Sequence, residues 1–134
     1  MTLSGALKVG SQYHFHLETQ SCLVTPSEDG QYEIRCASQW QSMVQRGISR
    51  ALNIPMNKIN TKIYRLGGAY GGKISRPNMV ATACAIAAHA LRRPVRIVLD
   101  LETNMEMVGK RCPYVINYEL TLDDQNLLQN VSME

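Results

Sequence analysis

Five short stretches of the chain have the apolar pattern of a β-strand, either alternating with polar residues or forming a short apolar run. The pattern predicts strands at residues 12–24, 31–37, 59–64, 94–100 and 114–121. Residues 26–30 read PSEDG, and because Pro fixes φ while Gly tolerates positive φ, we expect a turn there. The first two strands should therefore form a hairpin.

A helical period follows this hairpin. From Trp40 to Leu52 the apolar residues recur at spacings of three and four, which predicts an amphipathic helix. Ser38 and Gln41 match a capping box at its start. Pro55 lacks an amide proton and disfavours helical backbone in the residue before it, so the helix should end near residue 53.

A second helix is predicted at residues 77–93, which are rich in alanine and apolar nearly all round, so most of its sides should be covered. A shorter helix is expected at 102–108, and residues 127–134 resemble the start of an interrupted element. Because this order mixes hairpins with crossover connections, we predict an α+β, or mixed α/β, domain with a mixed sheet and two main helices. We expect residues 1–134 to form one partial domain.

Composition is that of a folded protein. The 134 residues suffice for one domain, and 45% hydrophobic with 19% charged residues argues against disorder. The net charge of +3 is scattered, so we expect no nucleic-acid partner. The longest apolar run is too short to span a membrane, and the four separate cysteines favour free thiols in a reducing cytosol.

The stretch RLGGAYGGKISRP, residues 65–77, is the strongest candidate for chemistry. Gly67 to Lys73 satisfies G-x-x-x-x-G-K, the pattern of a phosphate-binding loop. Ile74, however, stands where such a loop needs Ser or Thr, whose hydroxyl binds Mg²⁺. This departure argues against an NTPase, and leaves a sharp structural turn, a nucleotide-binding module or a loop for another ligand as alternatives.

A second candidate is the set His14, His16 and Glu18. Residues two apart on a strand share a face, and imidazole and carboxylate are metal donors. Successive same-face residues lie about 6 to 7 Å apart, however, and no fourth ligand is evident. We therefore favour structural roles for these three side chains.

Four motifs taken together resemble the molybdenum hydroxylases, the family of aldehyde oxidase and xanthine dehydrogenase. They are GSQYHFHLETQ (10–20), RLGGAYGGK (65–73), RRPVRIVLD (92–100) and GKRCPY (109–114). The resemblance runs from about Gly10 to Tyr118 and covers one part of the molybdopterin-binding region. It implies that this chain is a fragment of a larger molybdopterin-binding domain.

The resemblance implies roles for five residues. Gln12 matches the glutamine beside the molybdenum centre, and Tyr70 matches a loop aromatic, usually Phe, whose backbone approaches that centre and whose ring edges the substrate pocket. Gly68 and Gly71 would let cofactor atoms approach the main chain. Purine-oxidising members carry Glu where this chain has Ile74, so the substrate pocket resembles that of an aldehyde oxidase.

The whole enzyme implied by the resemblance oxidises aldehydes to carboxylic acids with water-derived oxygen at a molybdenum-molybdopterin cofactor. Electrons would pass to 2Fe-2S clusters and FAD on segments outside this chain, and the general-base Glu is expected downstream, so no catalytic residue is assigned here. A small aldehyde or N-heterocycle is the implied substrate, and a homodimer in the cytoplasm is implied for the parent. A xanthine dehydrogenase fragment and a non-catalytic structural domain are the alternatives.

Overall fold

The computed structural model describes all 134 residues. Its strands and helices follow in chain order: β1 (Thr2–Val9), β2 (Ser21–Pro26), β3 (Tyr32–Cys36), α1 (Gln41–Leu52), β4 (Ile59–Lys62), α2 (Pro77–Leu91), β5 (Val95–Val98), α3 (Leu101–Val108), β6 (Tyr114–Leu122) and β7 (Leu128–Met133). They form two compact units, one of residues 13–109 and one of residues 1–12 with 110–134. The predicted α+β class is confirmed.

The larger unit contains a four-stranded sheet in the order β4-β3-β2-β5. β2 is antiparallel to β3 and to β5, whereas β3 is parallel to β4. The sheet is therefore mixed, as predicted. The parallel pair follows from the chain passing through α1 between β3 and β4, since parallel neighbours need a crossover connection.

The core of this unit lies between the sheet and the two longer helices. β2 and β3 turn alternate side chains inward, and α2 presents a stripe of small residues that permits close approach. The fully buried members of that stripe are Ala81, Cys84, Ala85 and Ala88. The opposite side of α2 leaves Met79, Ile86 and Leu91 exposed, so the expectation that most of its sides are covered is wrong for this chain.

The ends of α1 differ in how well they were predicted. Asn53 adopts the left-handed C-cap conformation, with φ 52°, so the helix ends where Pro55 indicated. At the other end Trp40 is the N-cap without a side-chain cap. The Ser38 hydroxyl instead accepts a hydrogen bond from the Trp40 N–H at 3.0 Å, so the predicted capping box does not form.

The strand predicted at residues 12–24 exists only from Ser21 onward. Phe15 has a positive φ of 43°, which interrupts an extended chain. The polar groups of residues 18–20 bond partly to a loop later in the sequence, as described below, and partly to Leu99 and Asn104. The four cysteines are free thiols, as predicted, with only Cys112 exposed.

The smaller unit is an antiparallel sheet in the order β1-β6-β7. β1 and β6 pair along their length, from Thr2 opposite Thr121 to Val9 opposite Tyr114. β6 was predicted and β1 was not, while β7 lies in the stretch expected to begin a further element. None of the helices of the protein is both long and apolar enough to cross a membrane.

Candidate cofactor-binding site

The glycine loop, residues 65–76, connects β4 to α2 and has an unusual backbone. Gly68, Tyr70 and Gly71 all have positive φ, at 95°, 49° and 89°. Glycine adopts such angles without strain, whereas a tyrosine in the left-handed region costs on the order of 1–3 kcal/mol. The Gly72 N–H donates to the Ala69 carbonyl at 2.7 Å and closes a tight turn. The loop holds Tyr70 in a strained conformation at its tip.

The outer side of this loop carries unused hydrogen-bond donors. The N–H groups of Gly68 and Gly71 have no acceptor within the chain. They lie on either side of Tyr70, whose residue surface is 62% exposed. Backbone N–H groups in turns with left-handed residues can bind anionic or oxygen-rich groups.

The inner side of the loop is held by Glu18. Its carboxylate Oε2 accepts a hydrogen bond from the Gly67 N–H at 2.8 Å and one from Lys73 Nζ at 2.5 Å. The Glu18 N–H in turn donates to the Gly67 carbonyl at 3.1 Å. One residue of the irregular segment 13–20 therefore ties together both ends of the loop.

Lys73 is the most deeply buried charged residue, with a side chain that is 0% exposed. Its backbone is also held, since its carbonyl accepts from the Gln39 N–H at 2.7 Å and its N–H donates to Gln39 Oε1 at 3.2 Å. A phosphate-binding lysine must reach outward to its ligand. Because this lysine points inward to Glu18, the nucleotide-binding alternative loses its main support.

His16 and Gln20 complete the support beneath the loop. The buried His16 donates from Nδ1–H to the Glu18 carbonyl at 2.8 Å, and a Cβ placed on Gly68 would lie 2.9 Å from the His16 Cβ. The Gln20 side chain donates to the Gly72 carbonyl at 2.9 Å. Close packing as well as backbone conformation therefore requires glycine at position 68.

Two titratable groups under the loop have shifted pKa values. Burial, assisted by the charge of Lys73, lowers the pKa of His16 and favours its neutral form. Burial alone would raise the pKa of Glu18, but the hydrogen bonds from Lys73 and Gly67 outweigh it and the pKa is lowered. The lowered pKa means that Glu18 is ionised at neutral pH, as an acceptor for the hydrogen bonds from Lys73 and Gly67 must be.

The metal-site hypothesis for His14, His16 and Glu18 is not realised in the structure. No cluster of three His, Cys, Asp or Glu side chains has the arrangement needed to hold a metal ion. Glu18 and His16 instead bond to the loop and to each other. The sequence pattern drew attention to these residues because it predicted a strand there, and that strand does not form. The pattern did not indicate the pairing of Glu18 with Lys73.

The five residues singled out by resemblance are divided between the units. Gly68, Tyr70, Gly71 and Ile74 belong to the glycine loop, where Ile74 is 41% exposed directly after the buried Lys73. Gln12 belongs to the smaller unit, and its carbonyl accepts a hydrogen bond from the Arg111 N–H at 2.8 Å. Gly68 and Gly71 have N–H groups without an acceptor in the chain, and the oxygen and sulfur atoms of a molybdopterin cofactor are of the kind that accept from such groups.

Known proteins match this chain along its whole length. The family profile described as "Molybdopterin cofactor-binding domain" matches residues 1–134. A probable aldehyde oxidase 1 of Oryza sativa subsp. japonica is 42% identical over 118 residues, which is 88% of this chain and 9% of that protein. A xanthine dehydrogenase of Drosophila subobscura is 35% identical over 133 residues, which is 99% of this chain and 10% of that protein.

Solved structures share the fold at lower identity. The aldehyde oxidoreductase from Desulfovibrio gigas superposes with a TM-score of 0.69 at 22% identity, over 96% of this chain and 14% of that chain. Quinoline 2-oxidoreductase from Pseudomonas putida 86 superposes with a TM-score of 0.72 at 20% identity, over 99% of this chain and 17% of that chain. This chain thus spans about a tenth of the curated relatives named above. It belongs to the molybdopterin cofactor-binding domain family found in aldehyde oxidases and xanthine dehydrogenases.

Proposed function

We propose that this chain is the part of a molybdenum-dependent aldehyde oxidase that presents the glycine loop and Gln12 to the molybdenum-molybdopterin cofactor. The observation that carries the proposal is the loop itself. Two N–H donors without acceptors, at Gly68 and Gly71, flank an exposed Tyr70 held in a strained conformation. A purely structural turn needs neither free donors nor a strained aromatic residue at its tip.

Within this proposal the loop positions the cofactor through its main chain. The N–H groups of Gly68 and Gly71 would donate to oxygen or sulfur atoms of the cofactor, and the Gln12 amide is a further donor implied by the resemblance. The bound cofactor supplies a two-electron acceptor and a water-derived oxygen for oxidation of a carbon atom. Glu18 and Lys73 keep the loop in place but do not touch the reacting atoms.

The substrate side of the proposal rests on Tyr70 and Ile74. The Tyr70 ring edges the pocket and the half-exposed Ile74 adds an apolar wall. An aliphatic side chain cannot hydrogen-bond a heterocycle, so it favours apolar aldehydes over purines. The higher identity to the rice aldehyde oxidase, 42% against 35% for the fly xanthine dehydrogenase, supports the same preference.

The remaining parts of the reaction belong to the longer parent enzyme. We infer that a general-base glutamate, 2Fe-2S clusters and FAD lie on segments outside these residues. We also infer that the parent is a cytoplasmic homodimer acting on a small aldehyde or N-heterocycle. The alternative, a xanthine dehydrogenase, is supported by relatives that match 99% of the chain and is disfavoured by Ile74.

Exchanging Ile74 for glutamate in the parent enzyme tests the substrate assignment. Ile74→Glu introduces a hydrogen-bonding group into the pocket, so the ratio of kcat/KM for an apolar aldehyde to that for xanthine should fall about tenfold or more. Met79→Glu is the control, because it adds the same charge at an exposed position on α2. An unmodified parent that oxidises xanthine efficiently and ordinary aldehydes poorly would contradict the proposal.

A further inference from the structure

The four-stranded sheet of the larger unit has one face that no element of this unit covers. α1 and α2 pack on the side to which Cys22, Val24 and Ile34 point. The residues between them point the other way, because side chains alternate along a strand. The strand register places four of these outward residues in one row across the sheet, in the order Arg96, Leu23, Arg35 and Lys62. We call the side of the sheet that carries this row the basic face.

The charges on this face are not balanced. Glu33 is the one carboxylate paired with the row, 2.8 Å from Arg35 and 3.1 Å from Lys62. Hydrogen bonds from these two cations lower the pKa of Glu33, which therefore stays ionised. Arg96 forms no salt bridge. Glu18 also lines this side of the sheet, but its carboxylate is already paired with Lys73. The three cations of the row therefore outnumber the carboxylates available to them, and the face favours a negatively charged partner.

The shape of the basic face suits a polypeptide more than a small ion. Two shallow hollows, of about 410 Å³ and about 150 Å³, adjoin along it and share Glu18, Ser21 and Arg35 in their linings. Leu17 in the larger hollow is 84% exposed, and Tyr64 in the smaller is 74% exposed. The Arg35 guanidinium lies 5.8 Å from the Tyr64 ring centroid. Arginine and aromatic residues beside exposed apolar side chains are typical of interface centres.

We propose that the basic face docks an acidic segment of the parent polypeptide that lies outside residues 1–134. The row extends over four strands, about 14 Å at the usual strand spacing, which an extended segment carrying several carboxylates can follow. The aldehyde oxidase relative is about ten times longer than the matched region, so most of such a chain is available to supply it. This inference rests on the proposed function only in requiring a longer parent enzyme.

Hydroxyl-radical footprinting of the purified full-length parent tests whether the face is covered. Leu17 and Tyr64 should be oxidised at least fivefold more slowly than in the urea-unfolded enzyme. Arg96→Glu should restore their oxidation at least threefold, since it places a repelling charge in the row. Arg93→Glu is the matched control, an exposed arginine beyond α2 that lines neither hollow, and should match wild type. Unprotected Leu17 and Tyr64, or protection unchanged by Arg96→Glu, would overturn the proposal.

Carbodiimide crosslinking of Lys62 identifies the source of the partner. The experiment uses the full-length parent with Glu33→Gln, because this substitution removes the carboxylate that lies 3.1 Å from Lys62 and would react first. A mixture of labelled and unlabelled parent chains should give crosslinks from Lys62 to Asp or Glu outside residues 1–134 of the same chain. Crosslinks between labelled and unlabelled chains, or only within residues 1–134, would refute that source. Molybdenum content and aldehyde turnover are measured in parallel. A parent that gives the expected crosslinks but is inactive would contradict the proposed function and still support the docking proposal.

Discussion

A lysine with no exposed side-chain surface must be neutralised inside the fold, and for Lys73 this role falls to Glu18. The two residues are 55 positions apart, so no local sequence pattern could indicate their pairing. The G-x-x-x-x-G-K match drew attention to this lysine, but the pattern does not indicate that its side chain is buried against Glu18. Burial requires the pairing, because an uncompensated charge in the interior costs several kcal/mol.

The pair should respond asymmetrically to the loss of either partner. Glu18→Gln leaves a buried ammonium group without its counter-charge, so the free energy of unfolding should fall by about 3 kcal/mol. Lys73→Met leaves a partly exposed carboxylate that water and the Gly67 N–H can still solvate, so the loss should be about 1 kcal/mol. Urea denaturation of the purified protein at pH 7 measures both.

Glu33→Gln is the control for this comparison, because its partners Arg35 and Lys62 form exposed salt bridges. Such pairs contribute about 0–1 kcal/mol. If Glu18→Gln proved no more destabilising than Glu33→Gln, the buried pair would not be holding the loop.

At the level of elements, local pattern predicted β3, α1, β4, α2, β5, α3 and β6 close to their observed positions. The failures occurred where the partner of a segment decides its structure. Residues 13–20 alternate like a strand, but Glu18 and Gln20 bond to the glycine loop. Thr2–Val9 becomes a strand through pairing with Tyr114–Leu122, more than 100 residues later in the chain. Strand identity depends on neighbours that local patterns do not include.

The small-residue stripe of α2 should tolerate little added volume. Ala85 is fully buried on the face of this helix that packs against the core. Ala85→Leu should therefore lower the free energy of unfolding by about 1–3 kcal/mol through overpacking. Ala83 is exposed on the same helix, and Ala83→Leu should change the free energy of unfolding by no more than about 0.5 kcal/mol. Thermal unfolding of the two variants gives the comparison, and equal midpoints would show that α2 does not pack tightly on the sheet.

For the whole molecule, residues 1–12 and 110–134 form one compact unit and residues 13–109 form the other. Gln12 comes from one and the glycine loop from the other. Periodicity and composition could indicate the fold class but not this division, since it depends on Thr2–Val9 pairing with the last third of the chain. Several motifs read together could indicate the family, because each marks a separate part of the same domain. The basic face could not be predicted, since strand register brings its four residues together.

The small number of free donors limits what the 134 residues can bind by themselves. The glycine loop offers two free backbone donors and Gln12 one amide, which is few contacts for retaining a large polar cofactor against water. We therefore expect the chain expressed alone to purify without molybdenum and without aldehyde turnover. Elemental analysis after gel filtration measures the first, with the full-length parent prepared in parallel as the positive control. Stoichiometric molybdenum in the purified 134-residue chain would show that residues 1–134 suffice to retain the cofactor.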